Sequence, residues 1–121
     1  MKDGNILITE ETNPINRIVR FQLIEGDKIL AGAEISSAGG AWIFDRIFVS
    51  GENRSRGYGS EVLKKLAAYL DRKNIDLYAY IYSTGSLGDK QLEAWYRRYG
   101  FTDASDRGCP LARYAAGNQA E

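Results

Sequence analysis

The segment NRSRGYGSE, residues 53–61, joins an apolar run to an amphipathic one and carries residue types that bind anions. Arg54 and Arg56 supply guanidinium groups that match phosphate oxygens. Gly57 and Gly59 leave the backbone bare, so that a ligand can approach it closely. If a helix begins near Gly57, its first amides have no internal partners and its dipole adds partial positive charge, which together make an anion site. The same composition also suits an ordinary strand-to-helix turn, and these residues alone leave both interpretations open.

Several other chemistries are limited by what the chain lacks. It contains no histidine, which removes histidine-based catalytic triads and nearly every transition-metal site. The single cysteine, Cys109, cannot form an internal disulfide, and we interpret it as a small buried apolar residue rather than a nucleophile. No Gly-Lys pair is present, which argues against a P-loop. The equal numbers of basic and acidic residues, 16 of each, make a protein that mainly coats nucleic acid unlikely on electrostatic grounds.

The elements that position the glycine-arginine segment are predicted from the spacing of apolar residues. Four runs rich in β-branched and aromatic residues precede it, separated by turn residues, as in an antiparallel meander. The predicted strands are residues 5–10, 17–24, 28–36 and 41–50. In the last strand, alternation predicts one face formed by Trp42, Phe44, Arg46 and Phe48, and another formed by Ile43, Asp45, Ile47 and Val49.

After Gly57 the apolar spacing becomes helical, and Asn74 marks the predicted end of that helix. A further strand is predicted over residues 76–83, with a face of three tyrosines that we expect to pack beneath a helix; these are Tyr78, Tyr80 and Tyr82. The second helix is predicted over residues 89–98.

A short final hairpin, formed by residues 101–102 and 109–114, completes the predicted elements. Because a strand-helix-strand unit needs a right-handed crossover between parallel strands, the sheet is expected to be mixed. We therefore predict the α+β class: a mixed, mostly antiparallel twisted sheet with the helices packed on it. The predicted organisation is a single domain over residues 1–114 and a flexible C-terminal tail over 115–121. The N-terminal residues show no apolar signal region and no run long enough to cross a membrane, so we expect a cytoplasmic protein.

Two motifs resemble those of the GCN5-related N-acetyltransferases (GNAT). The stretch VSGENRSRGYG resembles the acetyl-CoA-binding pattern V-x-P-x-x-R/Q-x-x-G-x-G/A, and Val49, Arg54, Gly57 and Gly59 match it by position. The stretch LEAWYRRYGF is similar to the family's second hallmark, the helix ending A-x-x-F/L-Y-x-K-x-G-F. Both motifs stand in the family's order on the predicted elements. The resemblance implies a GNAT-like fold with two splayed parallel strands.

This resemblance also implies how acetyl-CoA is held. The pantetheine lies between the splayed strands, and a backbone amide near Phe48 or Val49 polarises the thioester carbonyl. The amides after Arg54 hold the pyrophosphate, and the residues concerned are Ser55, Arg56, Gly57, Tyr58, Gly59 and Ser60. Asp89 opens the second helix where the family often has asparagine, so its negative charge lies at a position near the CoA phosphates. No metal is implied.

The resemblance gives Tyr96 the role of protonating the departing thiolate, although the same side chain also fits the apolar stripe of its helix. A base for the acceptor amine is less well specified by the sequence. Asp45 is the candidate because alternation places it on one strand face with Ile47 and Val49, and Glu34 is the reserve. Either carboxylate also suits an ordinary half-exposed position.

Relatives carry two helices between their first two strands, whereas here only about six residues separate Glu10 from Arg17. Because those helices wall the acceptor site, we expect this site to be open or to be completed by a second subunit in a homodimer. An open site favours a protein or another large acceptor. The function predicted is direct transfer of an acetyl group from acetyl-CoA to a primary amine. The alternatives are an inactive CoA-binding or interaction module and a nucleic-acid binder that uses the tyrosine face.

Overall fold

The fold is built on one seven-stranded mixed sheet. The computed structural model describes residues 5–49, 57–80, 89–104 and 110–116. The strands are β1 (Asn5–Thr12), β2 (Arg17–Glu25), β3 (Lys28–Ala38), β4 (Ala41–Val49), β5 (Leu77–Ala79), β6 (Thr102–Asp103) and β7 (Leu111–Arg113). Their order across the sheet is β1-β2-β3-β4-β5-β7-β6, and β4 and β5 are parallel. The predicted mixed, mostly antiparallel α+β architecture is therefore confirmed.

Turn chemistry explains why β1 and β2 connect directly. The Asn13 side chain accepts hydrogen bonds from the backbone N–H groups of Ile15 and Asn16, both at 2.9 Å, which closes a four-residue turn. At the next connection Gly26 has φ +65°, a backbone conformation that favours glycine. The first three strands thus form a compact antiparallel meander, and no helix separates β1 from β2.

Both helices pack on the same face of the sheet. Helix α1 (Tyr58–Lys73) is capped at its C-terminus by Asn74, the predicted end of the helix, which adopts the left-handed conformation with φ 60°. Helix α2 (Asp89–Arg97) is followed by Gly100 at φ +100°. One core contains the buried residues of both helices together with the inward side chains of the sheet, and its most completely buried members are Phe21, Leu23, Ile35, Val62, Leu63, Leu66, Leu70, Leu77, Phe101 and Leu111.

The ends of the two helices are tied together by Arg113, which is buried. Its guanidinium donates to both carboxylate oxygens of Asp71 on α1, at 2.9 and 3.1 Å, and to the backbone carbonyl of Tyr99 after α2, at 2.7 Å. Asp71 also accepts a hydrogen bond from the backbone N–H of Ala116. The neighbouring Ala115 is fully buried, so the docked chain continues past the predicted boundary at residue 114, and residues 117–121 lie outside the description.

A β-bulge in β4 changes which side chains face the core. In the register with β3, Glu34 pairs with Arg46 but Ile35 pairs with Phe44, so Asp45 is an extra residue without a partner on β3. Trp42 and Phe44 are buried before the bulge; after it the residues packed on the core are Ile47 and Val49, while Arg46 and Phe48 are exposed. The prediction of two unbroken faces, with Asp45 beside Ile47 and Val49, is therefore wrong.

The tyrosine face of β5 also differs from the prediction. Leu77 and Ala79 are buried beneath the helices, whereas Tyr78 is half-buried and Tyr80 is exposed. The ring of Tyr78 meets that of Tyr114 edge-on, with centroids 6.4 Å apart. The tyrosines point away from the helices because α1 and α2 both cover the other face. Strand β5 is described over Leu77–Ala79, and Tyr82 lies outside the described residues.

Candidate functional site

Strands β4 and β5, the parallel neighbours in the middle of the sheet, pair along only part of β4 within the described chain, and we call the region beyond their last pair the gap. Strand β4 pairs with β5 only as far as Phe44 and Ala79, although β4 continues to Val49. Beyond the bulge, therefore, β4 bonds to β3 on one side, while its backbone on the other side has no β5 partner among the described residues. An extended ligand of about strand width can bind to such an edge through backbone hydrogen bonds.

The first turn of α1 lies just after this gap in the chain. Gly57 precedes the helix with φ +81°, and a Cβ atom built there has no neighbour within 4 Å in the described part of the chain. The first intrahelical hydrogen bond runs from the Glu61 N–H to the Gly57 carbonyl at 3.0 Å, and no side chain that the structure describes caps the helix. The amides of Tyr58, Gly59 and Ser60 are thus available to an anion.

Gly59 is required for a different reason from the one the sequence suggested. It is buried, and a Cβ atom there would lie 2.6 Å from Cη2 and 2.8 Å from Cζ2 of Trp95, and 3.0 Å from Cγ2 of Val49. The Trp95 indole also donates a 3.0 Å hydrogen bond to the Ser60 hydroxyl. The absence of a side chain at Gly59 therefore lets the Trp95 ring of α2 pack against the first turn of α1, and the role of Gly59 is packing between the two helices.

We expect Gly59→Ala to lower the free energy of unfolding by about 1–2 kcal/mol, because the tryptophan ring has to move. At a helix position without such a contact, glycine to alanine raises the free energy of unfolding by up to about 1 kcal/mol. The sign of the measured change therefore shows whether the contact with Trp95 matters. Urea denaturation measures the difference. In a Trp95→Phe background the loss should shrink, since the smaller ring leaves space for the methyl group. A stabilised Gly59→Ala protein is incompatible with the packing role.

Tyr96 projects from α2 into the core face near β4. It is 5% exposed, and its ring packs at centroid distances of 5.3 Å on Phe44 and 5.4 Å on Phe101. Burial raises the pKa of the Tyr96 phenol to about 12, so the hydroxyl remains protonated at neutral pH. Its hydroxyl has no hydrogen-bond partner among the described residues. The side chain is therefore both a packing residue and an available hydrogen-bond donor.

The bulge places Asp45 on the sheet face opposite the helices, which we call the outer face; its side chains in this region are Arg20, Glu34, Ser36, Asp45, Arg46 and Phe48. The Asp45 carboxylate accepts a hydrogen bond from Ser36, a residue of this face. Although Asp45 is exposed as a whole, burial of its carboxyl raises the pKa, and the nearby Glu34 charge adds to the increase, while Ser36 opposes it. A carboxyl with a raised pKa at the mouth of a gap can take up a proton more readily than an ordinary aspartate.

Glu34, the reserve candidate for the base, is held by arginines. Its carboxylate lies 2.9 Å from Nε of Arg20 and 3.7 Å from Nε of Arg46. Arg20 also bonds to Glu11 at 3.1 Å. Glu34 is therefore engaged in ion pairs on the outer face, and Asp45 remains the candidate base.

The structure describes only some of the predicted site residues. Phe48 and Val49 lie on the end of β4 that pairs with β3 but has no described β5 partner, with Val49 turned towards the helices and Phe48 towards the outer face. The predicted residues Arg54, Ser55 and Arg56 fall outside the described part of the chain, and Asp89 begins α2 without a described side-chain environment. The sequence places Trp95 in the apolar stripe of the second helix and Arg46 on a face of the fourth strand but gives neither a role in the site, because their contacts here depend on packing and on the bulge.

Two further structural findings concern metals and membranes. Among the described residues, no group of three or more cysteine, aspartate or glutamate side chains is arranged to hold a metal ion. Neither of the two described helices is both long enough and apolar enough to cross a lipid bilayer.

Comparison with models of known protein families identifies one family. The family model described as "Acetyltransferase (GNAT) domain" matches residues 4–103, which is most of the chain. No curated protein matches the sequence.

Solved structures share the fold at low identity. The ribosomal-protein-S18-alanine N-acetyltransferase from Escherichia coli is 18% identical, with a TM-score of 0.63 over 86% of this chain and 75% of that one. PaiA N-acetyltransferase from Thermoplasma acidophilum, solved in complex with coenzyme A, is 15% identical, with a TM-score of 0.60 over 80% of this chain and 60% of that one. The anti-CRISPR protein AcrVA5 is 16% identical, with a TM-score of 0.60, and the match covers 78% of this chain and 96% of that chain.

Proposed function

This chain belongs to the GNAT acetyltransferase family, and on that premise we propose that it transfers the acetyl group of acetyl-CoA directly to a primary amine of a protein or another large acceptor. The observation that carries the proposal is that, among the described residues, β4–β5 pairing ends at Phe44 and Ala79 and no side chain caps the start of α1, the helix that follows β4. The unpaired edge suits an extended pantetheine, and the free amides suit its pyrophosphate. The coenzyme A complex of PaiA, a protein of the same fold, is consistent with this donor.

Residues on the two sides of the gap are proposed to assist different parts of the reaction, namely removal of the amine proton and departure of the thiolate. A lysine-like ammonium has a pKa near 10.4, so removing its proton at pH 7 costs about 4.6 kcal/mol. Asp45, on the outer face, is the proposed acceptor of that proton. A backbone N–H near Phe48 or Val49 stabilises the negative charge on the thioester oxygen as the amine attacks. Tyr96, on the helix side, donates a hydrogen bond to the sulfur as the thiolate leaves.

The accessible outer face supports a large acceptor. A four-residue turn connects β1 to β2, and on the described chain both helices lie on the other side of the sheet. The acceptor amine therefore reaches the gap from the side of Asp45 and Phe48. A second subunit could cover the same face, and sedimentation velocity at several protein concentrations distinguishes a dimer from an open monomer.

Acetyl-CoA binding is the first test, and Gly57 allows a matched pair of variants. Asparagine and aspartate both tolerate a left-handed backbone and have nearly the same shape, so Gly57→Asn and Gly57→Asp differ mainly in charge. We expect Gly57→Asp to bind acetyl-CoA about tenfold more weakly than Gly57→Asn, because its carboxylate faces the pyrophosphate. Isothermal titration calorimetry measures both dissociation constants.

The stability of the same pair supplies the control. A carboxylate at the start of a helix interacts favourably with the helix dipole, so Gly57→Asp should be at least as stable as Gly57→Asn. A loss of affinity in the more stable variant cannot arise from unfolding. Equal affinities for the two variants contradict a pyrophosphate site here. Acetyl-CoA binding without transfer to any amine favours the alternative of an inactive CoA-binding or interaction module, which the accessible outer face also allows.

A further inference from the structure

On the outer face, Arg46 is a cation whose hydrogen-bonding capacity the protein uses only in part. Its side chain is 68% exposed, and its Nε lies 3.7 Å from Glu34, which is too long for a hydrogen bond. Glu34 takes its short contact, at 2.9 Å, from Arg20 instead. Arg20 contacts Oε2 of Glu34 and Arg46 lies nearer Oε1, and because Arg46 makes no short hydrogen bond among the described residues, its donors remain available to a ligand.

Although the Arg46 guanidinium is exposed, its contact with the Phe48 ring defines its position. Its central carbon lies 5.4 Å from the centroid of the Phe48 ring, within the range of a cation–π contact. The Phe48 ring in turn lies over Gly32, where a Cβ atom would be 2.7 Å from the ring. Because Gly32 lets the ring lie flat on the sheet, Phe48 forms a platform that orients Arg46. Less side-chain freedom then has to be lost when a ligand binds.

The bulge in β4 places Arg46 on the same face of the sheet as Asp45, the proposed base. In an unbroken strand, neighbouring residues point to opposite faces, but the extra residue brings Asp45 and Arg46 to the same face. Their contacts with Ser36 and Phe48, two residues of the outer face, establish this. Asp45 and Arg46 thus project from consecutive positions on one face of the sheet, just after the last β4–β5 pair of the described chain.

We propose that Arg46 determines acceptor specificity, by binding a carboxylate that the acceptor carries next to its reactive amine. The inference rests on the proposed acetyl transfer and names the acceptor class for that site. The ammonium group faces Asp45 before it loses its proton, and the neighbouring carboxylate binds the guanidinium in the geometry that arginine favours. An acceptor with a basic group at that position meets Arg46 with like charge and is disfavoured.

The test compares acceptors that differ only beside the amine. One set consists of peptides with blocked ends, in which a single lysine is followed by aspartate, alanine or arginine. A second set has a free N-terminal amine and the same three residues at the next position. Free amino acids form a third arm, which distinguishes a small acceptor from a polypeptide. Initial rates with acetyl-CoA give kcat and KM for the wild type, Arg46→Gln and Arg46→Glu.

We expect the wild type to favour the aspartate peptide over the alanine peptide by about fivefold in kcat/KM, mainly through KM. Arg46→Gln should abolish this preference, and Arg46→Glu should reverse it towards the arginine peptide. Lys65→Gln is the matched control, since it removes one positive charge from an exposed position on α1. It should leave the preference unchanged. Thermal melts and acetyl-CoA affinities show that each variant remains folded and binds the donor.

The outcomes separate the two proposals. Transfer at equal rates to all peptides, or a preference that survives Arg46→Glu, overturns the role of Arg46 and leaves acetyl transfer intact. Transfer to no acceptor by the wild type overturns the proposed function itself, and the inference with it. A preference for the carboxylate in free amino acids alone retains the role of Arg46 and replaces the polypeptide acceptor by a small one.

Discussion

Tyr96→Phe is expected to lower kcat about 100-fold, within the usual range for loss of a general acid, and to leave acetyl-CoA affinity within about twofold of the wild type. The phenylalanine ring keeps the packing on Phe44 and Phe101, so only the hydroxyl is lost. Burial holds the Tyr96 pKa at about 12, and the hydroxyl is therefore a protonated donor throughout the neutral range. A hydrogen bond to sulfur becomes stronger as negative charge develops, which is why the effect falls on kcat.

Tyr99→Phe is the matched control for this variant. It removes a hydroxyl just after the same helix, from a residue that packs only partly on the core. Stopped-flow measurement of a single turnover separates acetyl transfer from product release, and denaturation shows whether the two variants are equally stable. If Tyr96→Phe and Tyr99→Phe transfer acetyl at the same rate, Tyr96 serves only in packing and the thiolate leaves without its help.

The order of elements could be predicted because each depends on local sequence. Alternating β-branched and aromatic residues define the meander, the change to helical spacing after Gly57 marks α1, and the stop at Asn74 has the predicted left-handed backbone. The parallel pairing of β4 and β5 follows from the handedness of the connection between them. The prediction that the start of α1 binds an anion needed only the position of the helix N-terminus, and it stays a prediction.

The side chains of the site could not all be placed in this way, because the bulge at Asp45 is not a local property. Alternation assumes that each residue on one strand faces one residue on the next, and a single extra residue reverses every later assignment. Phe48 was thus predicted on the wrong face, and Ile47 and Val49 were predicted on the face opposite Trp42 and Phe44. The reversal depends on how β3 and β4 pair, and no single position in the sequence reveals it.

Gly59 illustrates a second limit. Its spacing from Gly57 suggested that both glycines clear a path for the ligand, but only Gly57 faces open space, while Gly59 receives the Trp95 ring. Gly59 and Trp95 lie 36 positions apart in sequence, with strand β5 and most of the two helices between them. Their contact therefore cannot be read from local sequence. Two glycines of one motif, only two positions apart, can therefore differ in role, and here Gly59 serves packing.

Asp45→Asn is expected to lower kcat by about 100-fold at neutral pH, because the amide cannot accept the proton of the acceptor amine. The pH profile gives the sharper test. The Asp45 carboxylate acts as a base only when ionised, so wild-type activity should fall as the pH decreases through the pKa of Asp45. Burial and the Glu34 charge raise that pKa, which places the loss at a higher pH than for an ordinary aspartate. The variant should lack this acidic limb of the profile.

Glu34→Gln is the control, since it alters the neighbouring carboxylate without touching the proposed base. Removing the Glu34 charge should lower the pKa of Asp45 and shift the acidic limb to lower pH, while kcat on the plateau stays within about threefold of the wild type. A merely structural role for Asp45 predicts no such shift. If Asp45→Asn keeps the wild-type kcat and the wild-type profile, the amine loses its proton to solvent, and the outer face then contributes to binding the acceptor and not to its activation.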